Sequence, residues 1–101
     1  MRLDGYIDFE WDEGKAETNL RKHGVSFESA ADAFSDPYAR VVSDPGHSDQ
    51  EERFFLIGMD LRSRVLTTCY CERHGGVTIR IISARKSTKV EERQYWRYRN
   101  E

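Results

Sequence analysis

Arg64-Val65-Leu66-Thr67-Thr68-Cys69-Tyr70-Cys71-Glu72, then Arg73-His74-Gly75-Gly76, then Val77-Thr78-Ile79-Arg80-Ile81-Ile82-Ser83-Ala84: two runs rich in β-branched and aromatic residues flank a segment with adjacent glycines. Such runs favour extended backbone, and the glycines permit the positive φ that a tight connection demands. The stretch therefore reads as a β-hairpin with strands over 64–72 and 77–84. Upstream, 53–60 carries apolar side chains on both alternations, Phe54 and Leu56 on one, Phe55, Ile57 and Met59 on the other. A central strand covered on both sides requires that pattern. Residues 39–43 read as another strand, separated from it by a polar loop over 44–52 that is dense in turn residues.

Further out lie the helices. Ile7-Asp8-Phe9-Glu10-Trp11 alternates apolar and acidic residues, as a short half-buried strand does. Asp12 is placed to cap a helix running to His23, with Ala16, Leu20 and His23 on one face and Gly24 as its left-handed stop. A second helix opens at Ser26 and carries Phe27, Ala30, Ala31 and Phe34 at i, i+3, i+4 and i+7, ending before Asp36-Pro37. Thr88 and Glu91 form a capping box for a last helix bearing Tyr95, Trp96 and Tyr98. The order is β-α-α-β-β-β-β-α. It predicts an α+β domain in which an N-terminal αα-hairpin and a C-terminal helix gather against an antiparallel sheet.

Composition sets the outer bounds. With 101 residues the chain has room for one hydrophobic core, and 38% apolar with 34% charged residues suits a folded domain with a heavily ionised surface. The longest apolar run, 54–58, is far short of the roughly 18 residues of a membrane-spanning helix, and the acidic start has no signal-peptide core. A cytoplasmic protein is expected. Cys69 and Cys71, two apart on a strand, cannot form an ordinary disulfide with each other. They lack the second ligand pair of a structural zinc site, so buried apolar thiols are expected, with no metal and no cofactor. The net charge of −2 argues against indiscriminate coating of nucleic acid, yet it is unevenly divided: residues 1–20 hold six acids and two bases, residues 80–99 seven bases and two acids.

Chemistry concentrates in the hairpin. Taking Val77, Ile79 and Ile81 as its apolar face, matched by Val65, Cys69 and Cys71, leaves Arg80 on the other face with Arg64, Thr68, Tyr70 and Glu72. Two guanidiniums, a phenol and a carboxylate would then share a surface. RNA cleavage without metal needs an acceptor for the 2′-hydroxyl proton, a counter-charge for the phosphorus centre and a donor to the leaving oxygen. Arginine fits the second role, because its planar fork binds phosphate oxygens bidentately and stays ionised. Glu72, Tyr70 or His47 are the candidates for proton transfer, although nearby arginines would lower the pKa of Glu72. The same group of residues reads equally as a surface Arg–Glu ladder across a hairpin. Arg85 and Lys86, just before the last helix, are placed to add phosphate contacts. Tyr95, Trp96 and Tyr98, interleaved with arginines, suit base stacking or, more simply, packing on the sheet or on a protein partner.

These residues also fall into a known pattern. Phe9-Glu10-Trp11-Asp12 with Lys15, Asn19 and Lys22-His23-Gly24-Val25 resembles the opening of the BrnT toxin family, and 27–36 continues it. His47-Ser48 before Glu52-Arg53, then Glu72-Arg73, Arg80-Ile81-Ile82-Ser83-Ala84-Arg85, Glu92-Arg93 and Tyr95 are similar to its later signatures. The resemblance implies a RelE-like fold, an RNA endonuclease that inhibits translation, and neutralisation by a BrnA-type antitoxin with a ribbon-helix-helix domain. It further implies a toxin–antitoxin hetero-oligomer that contacts operator DNA through the antitoxin. It supports Arg53, Glu72, Arg80 and Arg85 as functional residues, and Arg73 is a further candidate for phosphate contact. A histidine is common in the family where this chain has Tyr70.

Two other functions compete. A non-catalytic module that sequesters antitoxin and aids repression would explain the acidic net charge and the lack of an obvious general base. Direct DNA binding fits less well, since no helix-turn-helix or zinc-finger pattern is present.

Overall fold

Short polar residues decide where the helices begin. The Asp12 carboxylate accepts the Lys15 N–H at 2.9 Å and opens α1 (Glu13–His23), while the Ser26 hydroxyl accepts the Ser29 N–H at 3.0 Å and opens α2 (Phe27–Ala33). Thr88 and Glu91 make the reciprocal capping box that starts α3 (Lys89–Arg99). Gly24 ends α1 in the left-handed region at φ 70°, returning its N–H to the Leu20 carbonyl. The computed structural model describes residues 7–43 and 51–101. Its strands are β1 (Asp8–Glu10), β2 (Arg40–Ser43), β3 (Phe54–Met59), β4 (Val65–Arg73) and β5 (Thr78–Lys86). A short turn of 3-10 helix over His74–Gly76, with positive φ at all three residues, joins β4 to β5.

The strands form one sheet in the order β1-β5-β4-β3-β2. The pairings β2–β3, β3–β4 and β4–β5 are antiparallel, but β1 runs parallel to β5, so the sheet is mixed. Nothing in the alternation of β1 fixes its direction, because no hairpin ties it to its neighbour and both directions bury Phe9 equally well.

Register then decides what each face carries. Leu56, Leu66, Tyr70, Ile79, Ile81 and Ala84 point toward α1 and α2 and pack with Val25, Phe27, Ala30, Ala31 and Ala33. α2 sits close: a Cβ on Gly58 would lie 2.9 Å from the Ala33 carbonyl oxygen. α3 covers one end of the opposite face, burying Tyr95 completely against Ile57 and Val65. Each such large side chain contributes about 2–3 kcal/mol by leaving water.

The register departs from the sequence reading. Cys71 lies opposite Arg80, Tyr70 opposite Ile81 and Glu72 opposite Ile79, with a bulge on β5 at Ile82, between the Cys69–Ser83 and Tyr70–Ile81 pairs. The apolar face of β5 therefore matches Leu66, Thr68 and Tyr70 rather than Val65, Cys69 and Cys71. β4 is buried on both alternations from Val65 to Cys71, which is why hydrophobicity alone picked the wrong one. The bulge has a second effect. Arg80 and Arg85 are an odd number of residues apart and would alternate onto opposite faces, but the extra residue returns both to the face that carries α3.

β1 pairs only with Thr78, Ile79 and Arg80, so β5 continues past it. There Asn19 of α1 takes over the edge: its side-chain amide donates to the Ala84 carbonyl at 2.8 Å and its oxygen accepts the Ala84 N–H at 3.1 Å. The same amide also donates to the Val25 carbonyl at 2.9 Å. No helix among the described residues is long and apolar enough to cross a membrane.

Candidate active site

On the face shared with α3, three arginines stand in a row of ion pairs. Arg80 of β5 donates from Nη1 to Oε2 of Glu10 on the neighbouring β1 at 2.9 Å, and the two side chains are 33% and 36% exposed. Arg73, at the end of β4, pairs with Glu51 at 3.0 Å and also hydrogen-bonds the Cys71 thiol, whose pKa is pushed up chiefly by burial. Arg85, about 15 Å along β5 from Arg80, grips both oxygens of Glu91 at 2.8 and 3.1 Å.

Glu91 is the most heavily bonded of these carboxylates. Besides Arg85, it accepts from the Thr67 hydroxyl at 3.0 Å and the Thr88 N–H at 2.8 Å. The Arg85 bonds lead these interactions and, against the opposing effect of burial, hold its pKa down at about 2. This arrangement fixes the start of α3 to the sheet. Arg85 is thus committed to Glu91 by two bonds, whereas Arg80 holds Glu10 by one.

His74, in the turn after β4, lies beside this surface. Its Nδ1 is 3.2 Å from the Thr78 hydroxyl, and Thr78 shares a face with Arg80, two residues on. The surface therefore combines a guanidinium, a carboxylate and an imidazole within a short span of the β4–β5 hairpin and β1. Such a set can bind a phosphodiester and move protons to and from its oxygens.

The expected companions of Arg80 are elsewhere. Arg64 precedes β4 at its far end, about 23 Å along the strand from Cys71 and Arg80. Its Nε and Nη2 bind Oδ2 of the buried Asp60 at 3.0 and 2.9 Å, and its Nη1 donates to the Gly24 carbonyl at 3.1 Å. That guanidinium ties the β3–β4 turn to the end of α1, and the alternation continuing from Leu66 places it on the helix-covered side. Tyr70 is 4% exposed in the core under α1 and α2, edge-on to Phe34 at 5.0 Å. Burial, with a smaller contribution from Glu72, pushes its pKa up to about 12. Glu72 is exposed at the end of the helix-covered face, opposite Ile79. The shared surface of Arg64, Tyr70, Glu72 and Arg80 is therefore corrected: Arg80 faces away from the other three.

Of the expected phosphate contacts, Arg73 and Arg85 lie on the Arg80 face. Arg53 directly precedes β3 and is half-buried, and Lys86 is exposed opposite Leu66. His47 lies outside the described residues. Sequence reasoning missed Glu10 and His74 as companions of Arg80. The signal for Glu10 was present, since alternation with Phe9 puts it on the side away from the core, but only the parallel pairing brings it to Arg80.

Comparison with known proteins agrees with this architecture. Residues 11–91 match the family described as ribonuclease toxin, BrnT, of type II toxin–antitoxin system. The crystal structure of the Brucella abortus ribonuclease toxin BrnT is similar, with a TM-score of 0.63 and 25% identity over 82% of this chain and 99% of that one. No curated protein matches the chain.

Proposed function

The chain belongs to the BrnT family of ribonuclease toxins of type II toxin–antitoxin systems, and from that premise we propose that it is a metal-independent RNA endonuclease that acts in the cytoplasm and inhibits translation. A BrnA-type ribbon-helix-helix antitoxin neutralises it in a hetero-oligomer, and operator DNA is reached only through that antitoxin.

The observation that carries this reading is the Arg80–Glu10 pair at 2.9 Å, half-open to solvent and flanked by His74 and Arg73. In the proposed reaction the ribose 2′-oxygen attacks phosphorus while its proton passes to Glu10. Arg80 faces the phosphoryl oxygens and balances the charge that accumulates on them. The bond from phosphorus to the 5′-oxygen breaks, and that oxygen takes a proton from the His74 imidazolium. The products are a 2′,3′-cyclic phosphate and a 5′-hydroxyl, so no water and no metal-bound nucleophile is consumed. Arg53 and Arg73 hold the adjoining backbone. His47 is the alternative proton donor.

Purified protein, incubated with RNA in chelator with and without ribosomes, tests the reading. Cleavage that leaves cyclic phosphate ends, and that His74→Ala but not His47→Ala slows by about 10²-fold or more, supports it. Intact RNA in every condition, with antitoxin still bound, instead identifies a non-catalytic module that captures antitoxin.

A further inference from the structure

The charges of α1 are sorted by helical period. Glu13, Glu17 and the half-exposed Leu20 lie along one stripe, and Glu17 is paired with Arg21 at 3.5 Å. Lys15, Thr18 and Lys22 recur at i, i+3 and i+7 along the opposite stripe, on either side of the buried Asn19. That second stripe faces the segment of β5 that continues past β1. Between them is a cleft of about 410 Å3 lined by Lys15, Thr18, Lys22, His23, Ile82 and Ser83, with Asp12 and Gly14 at its mouth and Asn19 at its floor. Asp12 is the cleft's acid, and its Oδ1 is engaged by the Lys15 N–H. Neither lysine ammonium has an acidic partner among the described residues.

The position of the cleft connects it to the candidate active site. Ser83 is three residues from Arg80 on the same strand, about 10 Å away, and lies opposite Cys69, on the face that carries Arg80. A nucleic-acid strand whose scissile phosphate sits at Arg80 and Glu10, and which leaves over the end of β1, passes directly into the cleft. There it meets two unpaired ammonium groups, the Thr18 and Ser83 hydroxyls, and His23 in the last turn of α1. The net charge of the N-terminal part is negative, but the acids of α1 point away from this path.

We infer that the cleft between the basic stripe of α1 and the stretch of β5 beyond β1 is a substrate-backbone site, binding through Lys15 and Lys22 a phosphate of the RNA strand next to the one cleaved. The inference rests on the ribonuclease reading and extends it to how substrate is held. Lys15 and Lys22 bind without taking part in the bond-breaking step.

The test uses the full chain and a fluorescent RNA oligonucleotide with a 2′-deoxy substitution at the scissile position, so that binding is read without cleavage. Lys15→Ala/Lys22→Ala is expected to bind it about tenfold more weakly, with the slope of log affinity against log salt reduced by roughly 0.7 for each phosphate no longer neutralised. With cleavable RNA, KM should rise while kcat holds, and Lys15→Arg/Lys22→Arg should restore most of the affinity. A wild-type chain that cleaves RNA, with a double alanine variant of unchanged affinity and salt slope, overturns the inference and leaves the ribonuclease reading standing. Loss of antitoxin capture with RNA binding intact also overturns it, making the cleft a protein surface. A wild-type chain that neither binds nor cleaves RNA overturns both.

Discussion

The same strands build two very different surfaces. Toward α1 and α2 they present Leu56, Leu66, Tyr70, Ile79 and Ile81 in a packed core, while on the reverse side they present Arg80, Arg73 and Arg85, each answered by a carboxylate from another element. On the core side a polar atom is a cost, and its pKa or hydrogen bonding reports desolvation. On the other side polar atoms are paired across strands and kept at the solvent boundary, where a substrate can compete for them. A side chain's consequence is therefore set by the face it occupies, more than by its chemical type.

The widest gap between the faces should appear on truncation. Tyr70→Ala removes a ring packed among Phe34 and Phe54 and is expected to lower stability by about 3–5 kcal/mol in urea denaturation. Arg80→Ala, on the other face, should leave stability within about 1 kcal/mol and cut RNA cleavage by about 10²–10³-fold, the loss typical of one transition-state donor. If Arg80→Ala unfolds the protein, or leaves cleavage intact, the division of labour fails.

Acid should single out the helix-anchoring end of the charged face. Glu91 titrates near pH 2 when folded and near its ordinary value when unfolded, so its contribution is complete above about pH 4.5 and is lost as pH falls toward 2. With its partial exposure this amounts to about 1–2 kcal/mol, visible as a steeper acid decline in wild type than in Glu91→Gln.

Smaller effects sharpen the core side. The buried Thr68 hydroxyl has no hydrogen-bond partner among the described residues, so Thr68→Val is expected to raise stability by about 1 kcal/mol. Tyr70→Phe should leave the cleavage rate within about a factor of two. A large loss of rate there would return the phenol to the reaction.

Much of this molecule was legible in its sequence for local reasons. Asp12, Ser26, Gly24 and the Thr88–Glu91 box mark helix ends because each acts within a few residues of itself. What the chain does not encode locally is the relation between strands. Cys71 and Tyr70 are both buried, so apolarity could not say which of them shares a side with Arg80, and only the pairing with β5 settles it. Arg64 looked like a free guanidinium because its partners, Asp60 and the Gly24 carbonyl, are brought to it by a turn and by a distant helix end. Arg80 stood out in the alternation of its strand, yet its carboxylate comes from 70 residues earlier in the chain.

The irregularity at Ile82 also makes the length of the segment between Arg80 and Arg85 a constraint in its own right. Two side chains separated by an odd count can look the same way along a strand only if one position drops out of step. Ironing out the bulge with every residue kept would drive one guanidinium into the hydrocarbon interior, whereas removing the extra residue leaves an even separation at which regular pleating keeps both on one face. Within this run, residue count and pleat can change only together.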